Sequence, residues 1–216
     1  APEPIDPHPH LRGDLISVIA EVKRSSPSKG DLAKIADPAA LAHSYEEAGA
    51  SVISVLTEKR RFGGSLDDLA AVRSAVSIPI LRKDFMVDEY QFYEARAYGA
   101  DVVLLIVAAL SSRQLKDYYE MATELGMASL IEVHTHEELE RAMEIEPRII
   151  GVNSRNLKTL DVDQRAFSVL IPEIPETIIR VAESGISTRS EVEHARSCGA
   201  DVILVGEALV RAGDPI

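Results

Sequence analysis

Apolar residues along this chain gather into eight short runs rich in Val, Ile and Leu, each bounded by turn-forming or polar residues. The runs lie near residues 16–22, 51–56, 78–83, 101–107, 127–133, 148–153, 178–183 and 201–205. Between them the apolar positions recur with helical spacing, as in Pro38 to Ala48, Tyr90 to Tyr98, Ser112 to Leu125 and Arg189 to Ser197, and His136-Glu137-Glu138-Leu139 opens another such segment. Three junctions repeat one grammar: Ala48-Gly49-Ala50-Ser51-Val52-Ile53, Tyr98-Gly99-Ala100-Asp101-Val102-Val103 and Cys198-Gly199-Ala200-Asp201-Val202-Ile203. In each, a helix ends on a glycine suited to a left-handed cap and a β-branched strand follows at once. Strand and helix alternating through eight units predict a single (β/α)8 TIM barrel spanning 16–216, behind an irregular lead-in at 1–15; a doubly wound open sheet is the alternative.

The strands in such a barrel alternate inward and outward side chains, and active sites form where the strands end. In Ile16 to Gly30, alternation puts Glu21 and Lys23 on the face of Ile19, with Val18, Ala20 and Val22 on the other. The same parity places Lys83 above Leu81, Glu132 above Leu130, Asn153 above Gly151 and Ile149, and Glu183 above Val181 and Ile179. Phe85, Arg155, Ser184 and Gly206-Glu207 continue these ends. Unpaired charges in a core cost several kcal/mol each, about the stability of a small domain, so a polar ring of this kind must pair internally or serve chemistry. Lysines beside carboxylates in an apolar wall can donate to a carbonyl oxygen and take a proton from carbon, with no metal or cofactor.

Charge narrows the ligand class. Lys and Arg number 23 against 35 Asp and Glu, for a net charge of −12, which argues against nucleic acid as a partner. An anionic ligand would need a locally positive mouth. Two consecutive strand ends suit phosphate: Glu183-Ser184-Gly185-Ile186-Ser187 and Val205-Gly206-Glu207-Ala208-Leu209 each bring a glycine to the start of a helix, at positions seven and eight of the barrel. Glu207 would contribute its backbone amide. No apolar run reaches membrane-spanning length and no basic-then-apolar leader opens the chain. The single cysteine, Cys198, reads as a half-buried helix residue, and a reducing cytoplasm is the expected compartment. His134 and His136 are expected to be solvated or capping rather than metal ligands, and the acidic pairs Glu46-Glu47 and Glu137-Glu138 to be solvated helix faces. Phe62-Gly63-Gly64-Ser65 is too short for a Walker loop.

Taken in order, Glu21-Val22-Lys23-Arg24-Ser25-Ser26-Pro27-Ser28, Phe62-Gly63-Gly64-Ser65, Leu81-Arg82-Lys83-Asp84-Phe85, Leu104-Leu105-Ile106-Val107, Ile131-Glu132-Val133-His134, Gly151-Val152-Asn153-Ser154-Arg155-Asn156-Leu157 and Ala182-Glu183-Ser184-Gly185-Ile186 strongly resemble the indole-3-glycerol phosphate synthase family, from about Ser17 to the end of the chain. The resemblance implies a (β/α)8 carboxy-lyase of tryptophan biosynthesis. Its substrate would be 1-(2-carboxyphenylamino)-1-deoxyribulose 5-phosphate, converted to indole-3-glycerol phosphate with loss of carbon dioxide and water. It further implies Lys83 as general acid on the ribulosyl C2′ oxygen, Lys23 either holding the carboxylate or sharing the acid role with Glu21 setting its charge, and Glu132 as base or relay in dehydration. Asn153 and Ser184 would bind hydroxyls, and Glu183 and Arg155 would complete the polar ring. Ser26, Gly185, Gly206 and the Glu207 amide would hold phosphate, and Pro27, Phe62, Phe85 and Leu104 would wall the aromatic ring. No cofactor or metal is implied, no membrane partner, and a monomer or weak homo-oligomer, with other tryptophan-pathway enzymes as candidate partners.

Against the family pattern, the N-terminal extension and the final helix are expected to be shortened or missing. Glu146-Pro147-Arg148 stands where the family carries Gly-Ala, with consequences expected only for the local turn. Two other readings stay open on residues alone: a barrel like phosphoribosylanthranilate isomerase, and a phosphate-binding barrel without turnover.

Overall fold

A computed structural model describes residues 3–26, 30–32, 35–157 and 159–212. Eight parallel strands close a barrel: β1 Ser17–Val22, β2 Val52–Leu56, β3 Ile80–Lys83, β4 Val102–Ile106, β5 Ala128–Val133, β6 Ile149–Asn153, β7 Ile179–Glu183 and β8 Val202–Val205. Each pairs with its neighbours in chain order, and β8 closes onto β1 with Ser17 opposite Val202 and Ala20 opposite Val205. The principal helices are α1 Pro38–Glu47, α2 Leu66–Ala75, α3 Tyr90–Ala97, α4 Ser112–Glu124, α5 His136–Met143, α6 Arg165–Leu170, α7 Arg189–Ser197 and α8 Glu207–Ala212. The final helix is thus present over six described residues.

Local chemistry sets the helix starts. Side chains of Asp37, Ser65 and Thr135 accept the amides of Ala40, Asp68 and Glu138, and Ser111–Gln114 and Thr188–Glu191 form reciprocal capping boxes. Gly49, Gly99 and Gly199 take φ of 94°, 93° and 99° at the helix ends, as the repeated grammar requires. Glu146 stands at φ 50° in the turn after α5, a conformation that glycine adopts at lower cost.

Two apolar layers result. Ile19, Val52, Leu81, Leu104, Leu130, Ile149, Val181 and Leu204 belong to the cluster filling the barrel interior, while Ala20, Val22, Ile53, Val103, Ile131 and Val152 pack outward against the helices. Leu11 joins the interior cluster from a short helix, His8–Leu11, so the lead-in helps close the barrel floor. The Gly-Ala-Asp repeat acquires a structural meaning here. Asp101 accepts the amide of Ile80 at 2.8 Å and binds Arg73, and Asp201 accepts the amide of Arg180 at 2.9 Å and binds that residue's guanidinium. The same clasp therefore fastens β3 to β4 and β7 to β8, on opposite sides of the ring.

Other expectations shift. Ser25–Ser26 and Gly30–Asp31 form a two-stranded antiparallel hairpin after β1. Glu47 is exposed, but Glu46 accepts both the amide and hydroxyl of Ser77, tying α1 to the approach to β3. Cys198 is half-buried at the end of α7. Among the described residues no helix is long and apolar enough to cross a membrane.

Candidate active site

Above the last apolar layer, the interior positions turn polar. Glu21, Glu132, Asn153 and Glu183 are all buried at the strand ends, and the half-buried Lys83 rises among them. Its Nζ lies 3.3 Å from Glu183 Oε2, 3.7 Å from Glu132 Oε2 and 4.0 Å from Glu21 Oε2. Lys23 Nζ lies 2.6 Å from Glu21 Oε1, and Ser54 Oγ donates to Glu21 Oε2 at 3.5 Å. Small residues make room for this crowding. A Cβ on Gly151 would sit 2.0 Å from Glu183 Oε1, and one on Gly206 2.6 Å from Glu21 Oε1.

The charges settle one another. Burial opposes ionisation of Lys83, but Glu183, Glu132 and Glu21 outweigh it and hold the ammonium well above the usual lysine range. Burial likewise opposes charge on Glu132 and Glu21. Lys83 and His134 prevail at the first, Lys23 and Lys83 at the second, and both carboxyls fall below their ordinary range. Glu183 goes the other way: burial, reinforced by Glu132 and Glu21, exceeds the pull of Lys83 and raises its pKa. Neither oxygen of Glu183 receives a hydrogen bond of good geometry, although the Lys83 ammonium approaches Oε2 to 3.3 Å.

These groups floor a cavity of about 940 Å³. One wall is apolar, with Phe62 and Phe85 tilted at 6.5 Å between ring centres and Leu104 beneath them. Across from it, Ser184, Gly185, Gly206 and Glu207 line the rim. Ser184 and Gly185 take φ of 69° and 72°, held by Ser154 Oγ donating to the Ser184 carbonyl and Gln164 Nε2 donating to that of Gly185. Glu191 occupies the amides of Ser187 and Thr188, both at 2.8 Å. Among the described residues the Gly185 and Ile186 amides meet no backbone carbonyl, whereas those of Ser187 and Thr188 at the α7 N-terminus are taken up by Glu191. Arg155 lines the cavity with its guanidinium donating to the Leu160 carbonyl at 3.0 Å, in a loop that brings Leu157, Leu160 and Val162 over the mouth.

The cavity therefore brings together fourteen of the sixteen residues singled out from sequence. The backbone of Ser26 lies in the hairpin and its side chain is outside the described residues, as is all of Pro27. Two charged cavity residues outside every motif quoted above were missed, Glu58 and Arg61. The basic run Lys59-Arg60-Arg61 was their only trace in the sequence. His134 and Glu138 correct an expectation. Neither is solvated: His134 lies 3.4 Å from Glu132 Oε1 and 3.0 Å from Glu138 Oε2. His136 is exposed at the start of α5 and pairs with Glu140 and Glu173.

Fold and cavity together define a (β/α)8 barrel with an ionisable cluster at the strand ends, where enzymes of this fold carry their chemistry. A family model described as indole-3-glycerol phosphate synthase matches residues 10–215. Curated proteins of that name are 63% identical over 201 residues in Kineococcus radiotolerans, covering 93% of this chain and 73% of the relative, and 57% identical over 215 residues in Mycolicibacterium vanbaalenii, covering 100% and 79%. One from Micrococcus luteus is 56% identical, covering 100% and 82%. Among solved structures, N-acetylmannosamine-6-phosphate 2-epimerase from Clostridium perfringens superposes with a TM-score of 0.69 at 15% identity, covering 91% of this chain and 89% of that one, which speaks to the fold alone. The chain belongs to the indole-3-glycerol phosphate synthase family, and is a carboxy-lyase of tryptophan biosynthesis.

Proposed function

We propose that the reaction, ring closure of 1-(2-carboxyphenylamino)-1-deoxyribulose 5-phosphate to indole-3-glycerol phosphate with release of carbon dioxide and water, runs on the cavity floor around Lys83, within the barrel of residues 16–216. The observation that carries this reading is the position of one ammonium within 3.3–4.0 Å of three buried carboxyl groups, at the foot of an aromatic wall.

Substrate phosphate sits at the rim formed by Ser184–Gly185 and Gly206–Glu207, with Ser26 contributing from the hairpin. Its binding energy, spent far from the reacting carbons, folds the flexible chain so that the ring carbon meets C2′. Phe62, Phe85 and Leu104 hold the aromatic ring, with Pro27 contributing from the β1–α1 loop. Lys83 faces the C2′ oxygen and stabilises the negative charge that grows there as the carbon–carbon bond forms, passing a proton to it. Lys23, paired with Glu21 at 2.6 Å, either holds the departing carboxylate or shares that proton. Once carbon dioxide leaves, the C2′ hydroxyl departs as water on gaining a proton, and Glu132, an ionised carboxylate, takes the proton from carbon that restores the indole. Glu183, protonated, donates to a substrate hydroxyl beside Asn153 and Ser184, and Arg155 completes the ring of polar groups at the mouth.

The chain contains no tryptophan, so indole formation can be followed as fluorescence over a weak tyrosine background. Purified protein given the anilino-ribulose phosphate should generate that signal; its absence from a folded protein that still binds inorganic phosphate would refute the reading. Lys83→Ala should lower kcat at least about a hundredfold while KM stays within a few-fold. An effect on KM alone would make Lys83 a binding residue.

A further inference from the structure

Strand alternation along β5 points Leu130, Glu132 and His134 the same way, one into the packed interior, one onto the cavity floor, and the third beside it. His134 is largely buried yet does not line the cavity, so it can touch the substrate's chemistry only through Glu132. Its Nε2 is 3.4 Å from Glu132 Oε1, an ion-pair approach whose angle falls short of a hydrogen bond. Its Nδ1 is 3.0 Å from Glu138 Oε2, and the same oxygen accepts the His134 backbone amide at 2.7 Å. Glu138 is itself fixed, since its amide donates to the Thr135 side chain that caps α5. Strand end, turn and first helical turn are thereby locked into one unit whose outward projection is a single imidazole edge.

Each oxygen of Glu132 then has its own cation: Oε2 faces Lys83 at 3.7 Å and Oε1 faces His134. A carboxylate that must take a proton from a defined carbon gains from such an arrangement, because free rotation would present either oxygen, at the wrong angle, with equal ease. We propose that His134, braced by Glu138, is a positioning residue that holds Oε1 of Glu132 and keeps that carboxylate ionised, so that Oε2 alone is presented to the cavity. This rests on the reading of Glu132 as the group that takes the proton. The charged and polar groups facing the unit are Glu132 on its own strand, Glu138 from α5, Lys83 from β3 and Asn153 from β6. Burial alone would favour a neutral imidazole, but Glu132 and Glu138 raise its pKa to about 9, so the brace carries charge at neutral pH.

The test is the pH dependence of kcat and KM, read by indole fluorescence, for wild type, His134→Gln, His134→Ala, Glu138→Gln and Glu132→Gln. Gln can still donate near the Nε2 position but cannot carry charge. His134→Gln should leave KM within about twofold, lower kcat roughly tenfold near neutrality, and move the acid limb of kcat up by about one pH unit, the size of one lost charge contact. His134→Ala should lose more, and Glu138→Gln should shift the limb in the same direction. An acid limb unmoved in His134→Gln, beside an inactive Glu132→Gln, would overturn the inference and leave the role of Glu132 standing. Full activity in Glu132→Gln would instead sink the reading beneath it. A loss in the His134 variants that merely tracks their folded fraction, with the limb in place, also counts against positioning.

Discussion

Gly151→Ala adds a single methyl group, yet it should disable the site. The new Cβ would lie 2.0 Å from Glu183 Oε1 and 3.2 Å from Leu130 Cδ1, where ordinary contact begins at 3.4 Å. Gly151 occupies regular extended backbone in β6, so the substitution is free of conformational strain and the whole effect falls on what the methyl meets. The Glu183 carboxylate would have to retreat by about 1.4 Å, the difference between 2.0 and 3.4 Å, carrying Oε2 away from its 3.3 Å approach to Lys83. Misplacement on the scale of an ångström costs about a hundredfold in rate. Overpacking of a filled core costs about 1–3 kcal/mol, or a fall in Tm of roughly 3–10 °C at this chain length. Both quantities are accessible, one from indole fluorescence and one from a thermal melt followed by far-UV circular dichroism. The double variant Gly151→Ala/Glu183→Asp, which shortens the displaced side chain by one carbon, should regain most of the Tm but little of the kcat. If Gly151→Ala alone melts and turns over like the wild type, the crowding at the floor of the cavity is not what the geometry says it is.

Other consequences are as direct. The pKa of His134 rises on folding from 6.5 to about 9, so its contribution to stability is complete below about pH 6.5 and disappears as pH climbs through 9. Urea titrations across that window should lose no more than about 3 kcal/mol from this source, less with solvent screening, and His134→Gln should flatten the slope. Glu146→Gly should raise stability by roughly 0.5–1 kcal/mol in the same assay, because φ 50° strains any residue with a Cβ. Arg82 is buried and binds Thr57, the Gln91 carbonyl, Asp84 and Glu94, so Arg82→Met should cost about 3–5 kcal/mol by stranding the carboxylates; a shift in denaturation midpoint worth under 1 kcal/mol would discount that network.

Much of this was legible because period and spacing carry it. The Gly-Ala-Asp junctions marked the phase of strand and helix, and alternation alone placed Glu21, Lys83, Glu132, Asn153 and Glu183 above apolar residues of the same face. His134 obeys that alternation too, but two residues past Glu132 it reads as a surface turn; nothing local says that α5 bends Glu138 back over it. Arg61 and Glu58 were hidden differently. Arg61 lies in a four-residue helix, Lys59–Phe62, that Glu58 caps, and the approach of that helix to the cavity depends on Gly64, where a Cβ would sit 2.0 Å from the Leu56 carbonyl. The clasp function of Asp101 and Asp201 was likewise invisible, since their partners, Ile80 and Arg180, stand a full unit earlier in the chain.

The polar tier of Glu21, Lys83, Glu132 and Glu183 also sets where this barrel can and cannot be improved. The apolar layers beneath it fill the interior of the ring, while the tier places four ionisable groups where well-packed hydrocarbon would be at least as stable. Glu183 is the extreme case, buried with neither oxygen met by a good donor. A population of variants selected for heat resistance alone would therefore drift first at this tier, and thermotolerance gained there would be bought with turnover. Durable gains lie in the lower layers, the helix caps and the turn at Glu146, where stability and chemistry do not compete for the same atoms.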